Sequence, residues 1–231
     1  MSGRAVELEV SELFASLQGE GPSAGTPAQF VRLARCNLRC RWCDSGYAWD
    51  FGRHRFEEAV RVMQVAEVAK AIRRGHQRSV VITGGEPLLQ QDNLVSLLAE
   101  LEREVEVETN GTVLPRAELL ARVERWIVSP KLTSSGAPEG ARFRPEALRA
   151  LEQSGRAWLK LVVLDETEAE EAERLVDAAG WPRDKVCLMP RALTRTELRE
   201  RSPAVARACL ERGFRFSSRL QLELWDGQRA H

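Results

Sequence analysis

Apolar residues along the chain follow two rhythms. Short aliphatic and β-branched runs bounded by turn residues occur at 28–34, 79–83, 105–109, 126–129, 158–164 and 186–189, and they predict buried strands. The runs read as nearly continuous rather than alternating, which predicts strands covered on both faces, as in a parallel sheet with helices outside. Between them the apolar spacing changes to i, i+3, i+4 and i+7, at Val65, Val68, Ala69 and Ile72, at Leu94, Leu97, Leu98 and Leu101, and at Ala172, Leu175, Val176 and Ala179. Each set draws a stripe along one side of a helix. Asp92 is placed as an N-cap, Thr167 with Glu170 as a capping box, and Gly180 and Gly213 as C-caps. Ser202 followed by Pro203 marks a fresh helix start, so 194–212 reads as two short helices or one kinked helix.

The alternation predicts an α/β fold in which βα units close into a full or partial barrel, with a mostly parallel sheet and outer helices. The loop at 134–140 is too short to divide domains, and 1–231 reads as a single domain. A chain of 231 residues, 43% of them hydrophobic, can bury a full core. Thirty-four basic residues balance thirty-four acidic ones, so no global field holds the protein on nucleic acid or on a membrane. A small-molecule partner is expected. No apolar run reaches the ~20 residues of a membrane span, and the amino-terminal stretch lacks the pattern of a secretory signal. Five cysteines make an odd count for a disulfide framework. A cytoplasmic, reducing location is therefore expected.

Three of those cysteines, Cys36, Cys40 and Cys43, form a C-x3-C-x2-C loop directly after the first predicted strand. Three thiolates on a short loop can hold one face of an iron-sulfur cluster and leave one iron open to a small chelating molecule. The same loop could serve zinc if a fourth ligand such as His54 or a distant thiol closed a tetrahedron. Further along, Thr83-Gly84-Gly85-Glu86-Pro87 follows a strand, and its glycines let backbone approach a ligand closely. Glu108-Thr109-Asn110-Gly111 ends the next strand and Ser129-Pro130-Lys131 the one after. Polar groups at the carboxyl ends of successive parallel strands converge on one rim. Lys160 interrupts the run at 158–164, where a lysine either serves the barrel interior or snorkels from an edge. The residue pattern does not choose between these.

The C-x3-C-x2-C loop followed by GGEP resembles the signature of the radical S-adenosylmethionine (SAM) superfamily. The segments Ser16-Leu17-Gln18-Gly19-Glu20-Gly21-Pro22, Phe30-Val31-Arg32-Leu33, Cys43-Asp44-Ser45 and Tyr47-Ala48-Trp49 narrow the likeness, together with ETNG, SPK and the closing Gly213-Phe214-Arg215-Phe216. They are similar to the family of 7-carboxy-7-deazaguanine synthases of queuosine biosynthesis. The resemblance implies a partial barrel of radical SAM type and a 4Fe-4S cluster on Cys36, Cys40 and Cys43, whose open iron binds SAM. Reductive cleavage of SAM would give a 5'-deoxyadenosyl radical, which abstracts hydrogen from 6-carboxy-5,6,7,8-tetrahydropterin. Ring contraction with loss of ammonia then yields 7-carboxy-7-deazaguanine.

The resemblance further implies SAM contacts from Trp42, Cys43, Asp44, Gly84, Gly85, Glu86, Glu108, Asn110, Ser129, Pro130 and Lys131. Pterin contacts are implied for Leu17, Gln18, Gly19, Glu20, Arg32 and Thr83, and Mg2+ ligation for Ser45. Gln18 offers donor and acceptor to a heterocycle edge, Arg32 can fork onto a carboxylate, and serine supplies the hard oxygen that Mg2+ prefers. A reductant such as flavodoxin or ferredoxin and a homodimer are expected on the same basis. One departure concerns the terminal strand, where relatives carry histidine and this chain has Arg219-Leu220-Gln221. Another radical SAM activity, such as a glycyl-radical activase, and a non-catalytic zinc module are the alternatives.

Overall fold

The computed structural model describes residues 6–228. Its centre is a nine-stranded sheet made of β1 (Glu7–Leu17), β2 (Pro27–Leu33), β3 (Arg61–Gln64), β4 (Ser79–Gly84), β5 (Glu104–Thr109), β6 (Arg125–Val128), β7 (Ala157–Val163), β8 (Val186–Pro190) and β9 (Arg215–Phe216), in the order β3-β1-β2-β4-β5-β6-β7-β8-β9. From β2 to β9 every neighbouring pair is parallel. β1 is antiparallel to both β2 and β3. The result is an open, mostly parallel sheet of partial-barrel type.

β1 was not among the predicted strands. Its sequence begins with Glu7 and Glu9 alternating with Leu8 and Val10, and only the latter two are fully buried. That is the period-two pattern of a strand with one wet face, which a search for continuous apolar runs passes over. β5 alternates as well. Val105 and Val107 enter the main core, while Glu104, Glu106 and Glu108 take the other face. In β7, Leu159, Leu161 and Val163 join the core, which leaves Trp158, Lys160 and Val162 opposite.

The helices lie outside, as a partial barrel with outer helices predicts, but apolar cover on both faces is not found along every strand, and the main core gathers on the helix side. Onto it pack α2 (Val65–Arg74), α3 (Gln91–Ala99), α4 (Ala117–Arg122), α6 (Pro145–Gln153), α7 (Glu166–Ala179) and α8 (Arg195–Arg212). The other face carries a small apolar cluster, Phe14, Ala28, Phe30 and Val81, and elsewhere mixes apolar side chains such as Ile127 and Val162 with Gln18, Glu106, Glu108 and Lys160. Short helical turns, α1 (Phe56–Ala59) and α5 (Glu139–Arg142), decorate the loops, the second overlapping the loop predicted at 134–140.

Gly180 and Gly213 are left-handed C-caps, as the sequence predicts. Three other boundaries differ. Asp92 lies in the first turn of α3, where it pairs with Arg116, and the N-cap is Gln90. The box that opens α7 is Asp165 with Glu168: Asp165 Oδ1 accepts from Glu168 N at 3.0 Å, and Glu168 Oε2 accepts from Leu164 N at 2.6 Å. α8 runs unbroken through Pro203, capped by Thr194, and Ser202 is internal with its hydroxyl donating to the Leu198 carbonyl. The terminal segment is also helical: α9 (Leu220–Trp225) replaces the expected strand at 219–221.

Residues 18–23 position the site. After β1 this segment crosses the polar face of the sheet toward the far strands. Gly21 N donates to Ser217 Oγ at 2.8 Å and Leu220 N donates to the Gly19 carbonyl at 2.9 Å, tying the first strand to the chain after β9. Among the described residues no helix is long and apolar enough to cross a membrane.

Candidate active site

A cavity of about 510 Å³ opens at the carboxyl ends of the parallel strands. On one side it is walled by the cysteine loop and on the other by residues 16–20 with the inward side chains of β2, β4, β5 and β7. Most residues singled out from the sequence line it, including the three loop cysteines, Ser45, Gln18, Glu20, Arg32, Thr83, Gly84, Gly85, Glu108, Asn110, Ser129 and Lys131. Glu86 and Pro130 do not.

The loop begins with Arg35 in the left-handed conformation, φ 69°, which turns the chain out of β2. Three contacts hold this residue. Its N–H donates to the Ala48 carbonyl at 2.8 Å, its carbonyl accepts from Glu86 N at 2.8 Å, and its guanidinium pairs with Glu9. The two glycines of GGEP make the approach possible. A Cβ on Gly84, which has φ 135°, would lie 2.1 Å from the Leu33 carbonyl oxygen, and one on Gly85 would lie 1.9 Å from that of Arg35. Backbone meets backbone there, so no side chain fits. Glu86 is a clip behind the cavity wall: fully buried, it accepts from Leu88 N at 3.0 Å, Thr109 Oγ1 at 2.8 Å and Asn110 N at 2.7 Å. Burial pushes its carboxyl up, against those three bonds.

The three loop thiols are free and partly exposed. N–H groups point at two of them: Leu38 N lies 3.4 Å from Cys36 Sγ, and Trp49 Nε1 lies 3.2 Å from Cys43 Sγ. Ser45 Oγ stands 3.6 Å from the same Cys43 sulfur. Burial pushes the Cys36 thiol up to about 11, so loading a metal there must release a proton. Among the described residues no three His, Cys, Asp or Glu side chains converge on a single ion, as tetrahedral zinc requires. A cluster whose irons each take one thiolate needs no such convergence, and thiols on one loop with N–H donors aimed at the sulfurs fit that group. Within the loop, Trp42 has two cations near its ring, with Lys131 Nζ 5.9 Å and the Arg191 guanidinium 5.8 Å from the centroid.

Opposite the thiols lies a buried charge network. Lys160, only 5% exposed, places Nζ 2.6 Å from Glu20 Oε2 and 3.4 Å from Glu108 Oε1. Glu20 Oε1 also accepts from Arg219 Nε at 2.9 Å and from Gln221 Nε2 at 2.6 Å. Arg219 reaches on to Asp44 and to the Ala192 carbonyl. Burial alone would raise the Glu20 carboxyl, but Lys160 and Arg219 outweigh it and hold that group well below the usual carboxylate range. Burial likewise works against the Lys160 ammonium, and Glu108 and Glu20 hold it charged. Gln18, 3% exposed, commits its amide N–H groups to Glu106 at 2.5 Å and Glu108 at 3.2 Å, and its carbonyl accepts from Glu20 N at 3.2 Å. Thr83 Oγ1 donates to Glu108 Oε2 at 2.8 Å. Glu108 thus sits with Gln18 and Thr83 rather than with the glycine edge. Arg32 is steered through Nε by Glu12, at 2.7 Å, and Tyr47 OH holds the same Glu12 at 2.8 Å.

Sequence reasoning left Lys160 undecided between the interior and an edge, and gave Arg219 no role. Strand periodicity carried a signal for the first, since Lys160 shares its face with Val162, a cavity residue. No local pattern marked Arg219, whose carboxylate partners lie 175 and 199 positions away.

Residues 31–179 match the model of the Radical SAM superfamily. The chain is 42% identical over 226 residues to 7-carboxy-7-deazaguanine synthase of Pyrobaculum aerophilum, covering 96% of each chain. It is 42% identical to that of Hyperthermus butylicus, covering 93% of this chain and 92% of the relative. For that of Halobacterium salinarum the identity is 37%, with 97% and 93% covered. Among solved structures, the crystal structure of QueE from Escherichia coli superposes with a TM-score of 0.70 at 27% identity, covering 93% of this chain and 94% of that one.

Proposed function

The chain belongs to the radical SAM superfamily and, within it, to the 7-carboxy-7-deazaguanine synthases, and on that premise we propose how its own residues carry the reaction. The reaction is conversion of 6-carboxy-5,6,7,8-tetrahydropterin into 7-carboxy-7-deazaguanine with loss of ammonia. The observation that carries the proposal is that one cavity is faced by the three thiols on one side and by the Gln18–Glu20, Arg32, Thr83 and Glu108 group on the other.

When bound, a reduced 4Fe-4S cluster with SAM supplies a carbon radical able to remove a hydrogen atom. Cys36, Cys40 and Cys43 hold the cluster, and the side-chain-free edge of Gly84 and Gly85 leaves room for SAM backbone contacts beside it, with Asn110, Ser129 and Lys131 completing that wall. Arg32 receives the pterin carboxylate as a pre-oriented fork, its Nε already fixed by Glu12. Glu20 and Glu108 accept the N–H groups of the heterocycle edge. Gln18 acts by holding Glu108 and the Glu20 backbone in place, because both of its amide hydrogens are already committed. Ser45 supplies an oxygen to Mg2+, which the substrate carboxylate would share. An electron donor of the flavodoxin or ferredoxin type and a homodimeric assembly complete the proposal.

The test is anaerobic turnover of SAM with the carboxy-tetrahydropterin, with and without Mg2+. Wild type is expected to release one ammonia for each 7-carboxy-7-deazaguanine formed, and Cys40→Ala to form neither. Cluster-loaded enzyme that cleaves SAM without forming that product would overturn the substrate assignment.

A further inference from the structure

We propose that Lys160 is a positioning residue for substrate: its single ammonium, shared between Glu20 and Glu108, locks both carboxylates as paired acceptors for a donor-rich heterocycle edge. The inference rests on the substrate reading above and deepens it.

The geometry gives the reason. Glu20 and Glu108 reach the cavity from different parts of the chain, one from the crossing segment and the other from β5, yet both meet Lys160 Nζ, at 2.6 and 3.4 Å. A carboxylate offers about four lone-pair sites. Three are occupied on each: on Glu20 by Lys160, Arg219 and Gln221, and on Glu108 by Lys160, Gln18 and Thr83. One acceptor site is left on each, and both residues line the cavity. Two neighbouring acceptors suit the adjacent ring N–H and exocyclic amino group of a pterin, and do not suit a ligand that presents carbonyl oxygens there.

Two carboxylates that share one ammonium repel each other without it, and burial favours the neutral form of Glu20. Each, if protonated, would turn an acceptor into a donor. The charged groups facing Lys160 are Glu20, Glu106 and Glu108, with the Cys187 thiol behind it, while Glu20 also faces Asp44 and Arg219. Glu106 does not share the work. Burial pushes its carboxyl up, and its oxygens are taken by Ser23, Gln18 and the Arg125 guanidinium. Arg219 backs Glu20 alone, so Lys160 is the group that neutralises the pair. Because its own ammonium is held charged, Lys160 is no general base, and its contribution is electrostatic and geometric.

The experiment measures equilibrium binding of 6-carboxy-5,6,7,8-tetrahydropterin to cluster-loaded protein with SAM and Mg2+ and without reductant, so that no turnover intervenes. For wild type, affinity stays level between about pH 6.5 and pH 8.5, because Glu20 is held well below the usual carboxylate range. Lys160→Met is expected to weaken binding by about tenfold or more at neutral pH, the loss of a charge-assisted arrangement, with recovery as pH rises, because burial raises the Glu20 carboxyl once Lys160 no longer opposes it. SAM affinity changes little. Lys160→Arg, which keeps the charge, restores most of the affinity. Unchanged pterin affinity and a level pH profile in Lys160→Met would overturn the proposal, as would wild-type binding that climbs steeply through neutral pH, a result that needs no variant to fold. Wild type that binds SAM but no pterin overturns the substrate reading itself, an outcome separate from the failure of Lys160 alone.

Discussion

Replacing Arg219 by leucine tests whether the carboxyl-terminal segment is clamped onto the cavity. The side chain is 9% exposed and makes three contacts of unequal worth. Asp44 is half exposed, so water replaces the guanidinium there, and the pair contributes at most about 1 kcal/mol. Glu20 is 13% exposed and keeps Lys160 and Gln221, so it loses one charge-assisted bond, about 1.5–3 kcal/mol, without being orphaned. The Ala192 carbonyl, on a buried residue, loses its donor at a cost of about 1–3 kcal/mol. Against these, a leucine no longer requires a guanidinium to be dehydrated, which recovers part of the loss. The net expectation is destabilisation by about 3 kcal/mol, which for a domain of this size lowers Tm by roughly 6–12 °C. Thermal melts of anaerobic, cluster-loaded protein followed by circular dichroism give the answer, with Arg219→Lys expected midway. Hydrogen exchange should rise locally at residues 19–20 and 219–225. A Tm within about 2 °C of wild type would refute the reasoning, because the clamp would then contribute less than a single surface pair.

Three further outcomes are expected. Gly85→Ala drives a Cβ against the Arg35 carbonyl, where only backbone could yield, so the entrance to the cysteine loop must shift; iron and acid-labile sulfide per chain should fall sharply on reconstitution, and full loading would contradict the packing. Trp49→Phe removes the indole N–H donated to Cys43 Sγ, and since hydrogen bonds to cluster sulfurs favour the reduced state, a redox titration followed by electron paramagnetic resonance should give a more negative potential; an unmoved potential would mean the contact carries no weight. Ser45→Ala should abolish the stimulation of turnover by Mg2+ while leaving cluster content intact, and equal stimulation in the variant would exclude Ser45 as ligand.

The strands with unbroken aliphatic character, such as Val80–Ile82 within β4 and Trp126–Val128 of β6, were legible because burial leaves a compositional trace wherever it falls. β1 shows the limit. Its alternation was present in the letters, but only one of its sides is buried in the core, so average hydrophobicity understated it. The cysteine loop, Gly84 and Gly85 could be placed from sequence because short-range spacing and backbone sterics define them. Lys160 could be seen but not oriented. Arg219 was invisible, since a buried cation is recognised only by partners that the fold delivers from elsewhere. The false strand at 219–221 has a similar cause: three residues carry no period, and what fixes them is docking against Gly19 and Glu20.

Sequence distance divides this cavity in two. The sulfur-bearing wall and the glycine turn that braces it come from a single stretch of about fifty residues, whereas the segment opposite is held by Ser217, Arg219 and Gln221, at separations of 196, 199 and 201 positions. One half of the chamber is therefore a local product of the chain and the other half exists only once distant parts of it have met.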